Sequence, residues 1–395
     1  MPANLKAKLE DNIKKIHFIS FLDGLWLPLP IYLLYLLDNN ITLTQMGVLF
    51  GAGTLMSFLL EIPSSIWADK YSRKTVLFFM GIFSFFSQLV FFFSHSFLFF
   101  LLGTCLNGIA IALNSGTFNA LFYDTLLSLG REKEYEKIQS LVMRNFYAGR
   151  LLASLLGAYI YFQSPRLVFL LAALINLAYL AVLSSVTEPS REKSISTPWR
   201  QVREGLNFLR DTRMAWKLII IFSLMSATSD IIFTYYQPAL RLVGVSILSI
   251  GAVYFLVNIL GWIGANWYMQ IRSKVNWKMM MILFLLVDII ASLLLGSQFL
   301  LLILLAIVLL SLSFSLHTTY ISNIIHTSVP SSHRATSLSI QSQLYLIFYA
   351  VLINFVSFSV DQSSLFWGLF VNALIVLIAL LVFWKISSSA DLEKQ

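Results

Sequence analysis

Apolar stretches of about 20 residues recur along the whole chain, and this repetition constrains its fold more than any other feature. Each stretch is long enough to cross a bilayer core as one helix, and short polar or basic segments separate successive stretches. Hydrophobic residues make up 58% of the chain and charged residues 12%, against about 45–50% and about 25% in soluble proteins. The sequence therefore predicts an all-α integral membrane protein.

Stretch length and hydropathy predict about twelve transmembrane helices. The first contains Asp23, Pro28 and Pro30 and has no small-residue cleavage site, so we interpret it as a span and not as a cleaved signal. The predicted spans lie at residues 17–37, 45–66, 75–94, 98–124, 140–162, 166–186, 216–237, 249–270, 278–297, 299–325, 336–359 and 364–384.

Lysine and arginine fall mainly in alternate loops, and this bias predicts which loops are cytoplasmic. One set of loops is basic, whereas the opposite set holds only Arg166 and Arg241. Both termini are therefore expected in the cytoplasm, with the protein in a bacterial inner or plasma membrane. The net charge of +8 follows from this topology, so we expect no nucleic-acid partner. Cys105 is the single cysteine, which excludes an intramolecular disulfide and a cysteine-based metal site.

A long polar segment divides the predicted spans six and six. We expect residues 1–190 and 216–395 to form two six-helix pseudo-symmetric bundles, joined by a cytoplasmic linker at 191–215 that contains an amphipathic helix. Sliding one half over the other places Gly47 opposite Gly251 and Asp23 opposite Asp230. Such a parallel repeat is typical of transporters that bind their cargo between the two halves near the bilayer midplane.

The loop between the second and third spans carries the sequence Ser65-Ile-Trp-Ala-Asp69-Lys70-Tyr-Ser72-Arg73-Lys74. It resembles the signature of the major facilitator superfamily (MFS) in this loop, with serines in place of the usual glycines. The resemblance implies an MFS fold and a cytoplasmic latch, in which Asp69 faces the N-terminus of span eleven and Arg73 pairs with Asp124. The motif and gate residues are then Glu61, Asp69, Lys70, Arg73, Lys74 and Asp124. A solvated, charge-rich loop without a latch is the alternative.

Further segments resemble a group of bacterial MFS permeases, many of them described as drug exporters. These segments are the Glu-Ile-Pro sequence beginning at Glu61, the stretch from Asn114 to Leu126, Glu188-Pro189, Tyr236-Gln237-Pro238 and Arg334-Ala335-Thr336. The chain departs from this group at Asn119, where an acidic residue is frequent, so the resemblance supports no carboxylate role at that position.

Ionisable side chains inside a bilayer are costly unless they are paired or hydrated, so each one is a functional candidate. Asp23 and the symmetry-related Asp230 are the predicted proton-coupling residues, with structural pairing as the alternative. Arg150 is predicted to pair with a buried carboxylate or an anionic cargo. Asp288 is expected to make an interhelical hydrogen bond, and His317 is expected to be a packing group with satisfied hydrogen bonds.

The sequence thus predicts a proton-coupled secondary transporter that works by alternating access and exports small amphipathic or hydrophobic compounds. The alternatives are an importer of a small polar solute, a lipid flippase and a non-transporting receptor. We expect no enzyme activity, no cofactor apart from the proton gradient, and a monomer in the lipid bilayer. The predicted cargo-cavity residues are Trp26, Tyr32, Asn114, Asn119, Arg150, Tyr236, Gln237, His317 and Tyr320.

Overall fold

The computed structural model describes residues 3–189, 212–272, 274–328 and 334–387, and the regular structure in these ranges is helical. Most of the predicted linker at 191–215, with its amphipathic helix, lies outside the described residues. A short 3₁₀ helix covers Glu132–Glu134. The α-helices are α1 Ala3–Gly24, α2 Tyr32–Asp38, α3 Leu43–Lys70, α4 Arg73–Phe93, α5 Phe97–Asn114, α6 Thr117–Ser128, α7 Tyr135–Gln163, α8 Leu167–Ser184, α9 Arg213–Thr234, α10 Tyr236–Leu242, α11 Ile247–Arg272, α12 Trp277–Leu295, α13 Leu300–Ser328, α14 Arg334–Gln362 and α15 Leu365–Ser387.

Ten helical segments of the described chain are long and apolar enough to cross a membrane. They correspond to ten of the predicted spans. The other two predicted spans, the first and the fifth, fall on α1 with α2 and on α7, which carry more charge. In α7 these charges include Arg144 and Arg150. The ten segments are Leu43–Ala68, Arg73–Phe93, Phe97–Ser128, Leu167–Ser184, Ala215–Leu242, Ile247–Gly264, Trp277–Leu295, Leu300–Ile325, Ser337–Gln362 and Leu365–Ser387.

The first predicted span is not a continuous helix, which corrects the prediction of one helix over residues 17–37. Helix α1 ends at Gly24 and α2 begins at Tyr32. Pro28 and Pro30 have no backbone N–H, so they cannot continue a helical hydrogen-bond ladder. Turns close the gap, with the N–H of Leu29 donating to the Trp26 carbonyl at 3.1 Å.

Two other predicted spans are also interrupted. The seventh breaks at Tyr235, between α9 and α10. The fourth breaks between α5 and α6 at Gly116, whose φ of 71° lies in the left-handed region that favours glycine. Helices in a membrane tolerate such breaks where neighbouring groups satisfy the freed backbone atoms. Here the N–H of Ala120 bonds the Gly116 carbonyl at 2.9 Å and restarts the helix.

The chain divides into two compact units. Unit 1 comprises Met1–Tyr35 and Leu55–Pro198, and unit 2 comprises Leu36–Thr54 and Trp199–Gln395. The first part of α3 therefore groups with unit 2 and its remainder with unit 1. In unit 1, α4 packs against α5 and α8, and α1 packs against α7. In unit 2, α9 packs against α14, α11 against α13, and α12 against α15.

Glycines allow α1 and α7 to approach closely. A Cβ atom added at Gly149 would lie 2.3 Å from the carbonyl oxygen of Phe21, and one added at Gly24 would lie 2.0 Å from that of Phe146. At Gly157 the corresponding distance to the Leu27 carbonyl oxygen is 2.1 Å. Small residues at helix contacts are the usual means of close packing in membranes. This packing places the end of α1 and its Asp23 directly against α7.

Candidate functional site

Unit 1 contains a cavity of about 240 Å³ between α1, α4, α5, α7 and α8. Its lining combines apolar and aromatic side chains with amide, hydroxyl and carboxyl groups. Polar groups with spare hydrogen-bonding capacity that converge on an apolar pocket are the usual composition of a small-molecule site. The polar and aromatic lining residues are Asp23, Trp26, Ser84, Asn107, Asn114, Phe146, Asn176 and Tyr179.

Asp23 lines this cavity from the last turn of α1, and its side chain is exposed there. The C-terminal end of a helix carries a partial negative charge, so this position opposes an ionised carboxylate. The guanidinium of Arg150 on α7 acts on Asp23 electrostatically and offsets that effect. Arg150 also lies 5.5 Å from the ring centroid of Phe146 in a cation–π contact. Asp23 is thus a carboxylate on which the Arg150 charge acts, while the predicted pairing of Arg150 with a buried carboxylate or an anionic cargo stays a prediction.

Tyr179 also lines the cavity, and it interacts electrostatically with Asp23. Tyr179 is 3% exposed, and no side chain or backbone group of the described residues bonds its hydroxyl oxygen. A buried hydroxyl without a partner is costly, so Tyr179 retains an unused hydrogen-bonding group next to the cavity. Sequence reasoning missed Tyr179 and Asn176. The available signal was a tyrosine one helical turn after an asparagine in the otherwise apolar α8.

Some of the remaining predicted cavity residues of unit 1 line the cavity, and others lie outside its lining. Trp26 and Asn114 line the cavity. The Tyr32 ring lies 5.7 Å from the ring of Trp26. Asn119 lies elsewhere, on α6, and accepts a hydrogen bond of 3.2 Å from Gln139 of α7.

The predicted cargo residues of unit 2 are closely packed. Tyr236 and Gln237 are 2% and 4% exposed, and Gln237 donates to the Tyr236 hydroxyl at 3.2 Å. His317 and Tyr320 both pack against the ring of Phe284, with centroid distances of 5.9 and 5.7 Å. The prediction that the hydrogen bonds of His317 are satisfied is wrong for the described part of the chain. Neither of its ring nitrogens has a hydrogen-bond partner there.

Asp230 belongs to a second polar cluster in unit 2. Its carboxylate accepts a hydrogen bond from the Tyr345 hydroxyl of α14. The preceding residue, Ser229, donates to Asp288 of α12 at 2.5 Å. This bond joins α9 to α12 and confirms the predicted interhelical hydrogen bond of Asp288. Neighbouring residues of α9 are thus linked to α14 and to α12, and sequence analysis did not predict either partner.

The loop that carries the signature motif is fixed by ionic contacts. Arg73 forms an ion pair with Asp124 and donates to the Ala120 carbonyl, so the pair implied by the family resemblance is present. Glu188 accepts hydrogen bonds of 3.0 Å from the backbone N–H groups of Arg73 and Lys74. These two N–H groups open α4, where the helix dipole favours a negative charge. Glu188 therefore anchors the motif to the segment that follows α8.

The other motif and gate residues make separate contacts. The Lys74 ammonium donates to the Ser184 and Val186 carbonyls at 2.6 and 2.7 Å. Lys70 lies over the ring of Tyr71 at 5.3 Å. Glu61 is half-buried on α3. The side chain of Asp69 and its predicted position against span eleven lie outside the described residues.

The ten membrane-length helices of the described residues define a multi-pass membrane protein, and its unit 1 contains a cavity with a carboxylate and amide groups in the lining. The sequence profile of the Major Facilitator Superfamily matches residues 16–351. This match spans most of the chain, and the chain therefore belongs to that superfamily of transporters. The prediction of an MFS permease that moves a small molecule across a membrane is confirmed at this level.

The chain is also similar to an uncharacterized MFS-type transporter, YxaM, of Bacillus subtilis (strain 168). The two are 25% identical over 235 residues, which is 58% of this chain and 58% of the relative. The alignment thus spans less than two thirds of that protein. It supports membership of the superfamily and carries no information on the cargo.

Solved structures of other transporters share the fold. The nucleoside transporter NupG superposes with a TM-score of 0.77 at 13% identity, covering 98% of this chain and 100% of NupG. A bacterial homolog of the human lysosomal transporter Spinster, in an inward-facing and unoccupied conformation, has a TM-score of 0.77 at 15% identity, covering 98% of each chain. A D-xylose–proton symporter has a TM-score of 0.72 at 14% identity, covering 95% of this chain and 98% of the symporter. At such identities the likeness establishes the fold alone.

Proposed function

We propose that this chain is a proton-coupled secondary transporter that works by alternating access and exports small amphipathic compounds. The observation that carries the proposal is the cavity of unit 1, where an exposed carboxylate, Asp23, shares one space with amide and aromatic groups. A site of this kind serves two ligands, a proton on the carboxylate and an organic molecule against the other walls.

Asp23 is the proposed proton carrier because two neighbouring features have opposite effects on its ionised form. The end of α1 disfavours the ionised form and Arg150 favours it. Protonation removes the charge on which Arg150 acts and the charge that acts on Tyr179. When the effects of α1 and Arg150 on Asp23 differ between two conformations of the transport cycle, protonation of Asp23 favours one conformation over the other. This preference is the requirement for coupling.

The cavity walls indicate an amphipathic cargo. Trp26, Phe146 and Met80 provide apolar surface, while Asn107, Asn114 and Asn176 provide amide donors and acceptors. A volume of about 240 Å³ is below the range of about 300–1,000 Å³ of pockets for drug-sized ligands. The cavity therefore fits a small compound or one end of a larger one.

The proposal extends to the gate and to the organisation of the chain. The Arg73–Asp124 ion pair, next to the Glu188-capped start of α4, acts as one latch of the transport cycle. The two six-helix bundles move against each other as the latch opens, and the protein works as a monomer. These steps rest on the contacts of the motif loop and on the family resemblance.

Import of a small polar solute is the second candidate. Three asparagines line a single small cavity, and converging amides are suited to the hydroxyl or amide groups of a polar solute. The direction of proton movement separates the two candidates. An exporter moves protons against the flow of its cargo, whereas an importer moves protons with it.

The test is a flux assay in liposomes that contain a pH-sensitive dye and the purified protein. Under an imposed proton gradient, lipophilic cations, antibiotics, sugars and amino acids are added one at a time, with Asp23→Asn beside the parent. Asp11→Asn is the matched control, since it removes a carboxylate from the same helix at a position paired with Lys15.

A compound that dissipates the gradient with the parent and the Asp11 variant, but not with Asp23→Asn, supports proton coupling at Asp23. Equal flux in all three proteins contradicts this assignment. If no compound moves protons while labelled lipids change leaflet, the lipid-flippase alternative replaces the proposal. Binding without any flux would instead identify a receptor.

A further inference from the structure

One face of α5 lines the cavity of unit 1 with an amide at each end and apolar side chains between them. The lining includes Asn107, Ala110, Ile111 and Asn114, and this spacing places all four on the same face of a helix. At about 1.5 Å per residue, Asn107 and Asn114 are about 10.5 Å apart along the helix axis. The cavity therefore extends along α5 for about two helical turns.

The amides of these two asparagines are not used within the protein. Both side chains are half-buried, and neither takes part in a hydrogen bond to the described part of the chain. By contrast, Asn12 of the same unit exchanges hydrogen bonds of 2.7 and 3.0 Å with the backbone of Thr187. A polar group that lines a cavity without a protein partner keeps its hydrogen-bonding capacity for the occupant of that cavity.

Helix α4 follows the same order of polar and apolar groups. Ser87 donates to the Gly103 carbonyl of α5 at 2.8 Å, so the two antiparallel helices are level at this contact. One helical turn away, toward the start of α4, Ser84 and Asn107 lie at the same level and both line the cavity. Met80 follows one turn later, beside the apolar part of α5. Polar groups of two helices thus share one end of the cavity, and apolar groups share its middle.

The lining favours an uncharged occupant. Asp23 is the one charged side chain among the described residues that line the cavity, and the opposite charge of Arg150 acts on it. In the proposed function Asp23 also binds a proton. A cationic cargo would compete with Arg150 and with the proton for this carboxylate, and an anionic cargo would find no cation in the described lining.

We propose that the cargo of this cavity is an uncharged compound with a hydrogen-bonding group at each end and a ring or short alkyl chain between them. One end bonds Asn107 and Ser84, the other end bonds Asn114, and the middle lies against Met80 and Ile111. A volume of about 240 Å³ over a length of about 10 Å leaves room for one ring or chain in cross-section. The inference rests on the proposed function, which assigns the cavity as the cargo site, and it adds the chemical class that the site selects.

Binding to the purified full-length protein is measured by isothermal titration calorimetry, without a proton gradient. The first probe, para-hydroxyphenylacetamide, has a polar group at each end of its ring. Phenylacetamide lacks the hydroxyl group, and tyramine carries a charged amine in place of the amide. The parent is compared with Asn114→Leu and with the double variant Ser84→Ala/Asn107→Leu. Asn119→Leu is the matched control, because Asn119 lies on α6 and bonds Gln139.

The parent should bind para-hydroxyphenylacetamide about three- to tenfold more tightly than phenylacetamide, which is the factor for one additional hydrogen bond. This preference should fall below about twofold in both cavity variants, because each leaves one polar end. It should persist in Asn119→Leu and in Asp23→Asn, where both polar ends remain. Tyramine should bind the parent more weakly than para-hydroxyphenylacetamide.

The inference is overturned if the parent binds neither amide, if it lacks the preference, if the preference survives in either cavity variant, or if tyramine binds most tightly. Should a leucine variant fail to fold, alanine replaces leucine at the same position in the same measurement. An intact preference together with proton flux that does not depend on Asp23 would contradict the coupling step of the proposed function and leave the cargo class standing. Asp23-dependent flux of another compound without the preference would have the opposite meaning.

Discussion

Asp361, at the end of α14, accepts a hydrogen bond of 2.6 Å from the backbone N–H of Thr44 at the start of α3. A second bond of 3.2 Å comes from the N–H of Leu43. The first N–H groups of a helix have no partner within the helix, and an acidic side chain at this end satisfies them and favours the helix dipole. Here the capping side chain comes from a helix more than 300 residues later in the chain, so the bond also ties the start of α3 to α14.

Replacing Asp361 with alanine is expected to lower the unfolding temperature of the purified protein. The loss of a helix cap costs about 0.5–2 kcal/mol. Asp361→Asn retains one acceptor oxygen and is expected to lose less than half as much. Differential scanning fluorimetry in detergent measures both, with Ser363→Ala as the control at an exposed neighbouring position. Equal stability of Asp361→Ala and the parent would show that the cap does not stabilise the fold.

The Arg73–Asp124 ion pair is expected to show strong energetic coupling. The two side chains are 18% and 11% exposed, and partly buried charge pairs of this kind interact more strongly than surface pairs. The variants Arg73→Leu and Asp124→Leu should each lower the unfolding temperature, and the double variant should lose less than their sum. We expect a coupling energy of about 0.5–3 kcal/mol.

A double-mutant cycle on thermal unfolding measures this coupling. Arg73→Leu combined with Asp11→Leu is the control, because Asp11 pairs with Lys15 and not with Arg73. Additive effects in the control and non-additive effects in the Arg73–Asp124 cycle are the expected result. Additivity in both cycles would argue against a latch built on this pair.

Gly157→Ala is expected to destabilise the protein by about 1–3 kcal/mol. The added Cβ atom would lie 2.1 Å from the backbone carbonyl oxygen of Leu27, so the contact between α7 and the break after α1 must shift. Gly261→Ala is the matched control, because the nearest atom there is the movable hydroxyl oxygen of Ser315 at 3.1 Å.

The control substitution should change stability little or increase it, since alanine favours a helix by about 0.5–1 kcal/mol over glycine. Thermal unfolding of the two variants under identical conditions provides the comparison. If Gly157→Ala loses no more stability than Gly261→Ala, α1 and α7 are not held at close distance.

The Arg131–Glu134 ion pair predicts a pH-dependent contribution to stability outside the membrane. The side-chain hydrogen bond from Arg131 holds the pKa of Glu134 below its ordinary value of 4.5. A carboxyl group with a lowered pKa in the folded state adds stability above the unfolded pKa, and this is lost as the pH falls through the folded pKa. Glu134→Gln should therefore lower the unfolding temperature at neutral pH and have a smaller effect below about pH 4.

The pH-dependent contribution of Glu134 is measured by comparing the unfolding temperatures of the parent and Glu134→Gln from neutral pH to below about pH 4. Glu136→Gln is the control. A difference between parent and variant that is the same at both ends of the range would contradict the assignment to the Arg131–Glu134 pair.

Local sequence properties predicted much of the fold. Ten spans follow from hydropathy, because the bilayer imposes length and composition on each helix separately. The Arg73–Asp124 pair followed from a family motif in which both partners occupy fixed positions. The break at Pro28 and Pro30 was visible in the residues, yet its extent, from Gly24 to Tyr32, depends on turns that a hydropathy window does not detect.

Contacts between distant helices could not be predicted in the same way. The hydrogen bond from Ser229 to Asp288 depends on the rotation of α9 and α12 about their axes, and apolar helices in a membrane carry little periodic signal of that rotation. The sequence around Glu188, which follows α8, does not indicate that this side chain caps the start of α4. Tyr179 likewise enters the cavity only because α8 packs against α4 and α1.

The break between α1 and α2 has a mechanical consequence. Pro28 and Pro30 have no N–H to donate to the carbonyls of Gly24 and Trp26, so no helical ladder crosses this point. A change in the angle between α1 and α2 therefore requires no helical hydrogen bond to be broken in the bilayer, where such a loss would be severe. Residues 25–31 therefore have the properties of a hinge, and Asp23 lies just before this segment in the chain.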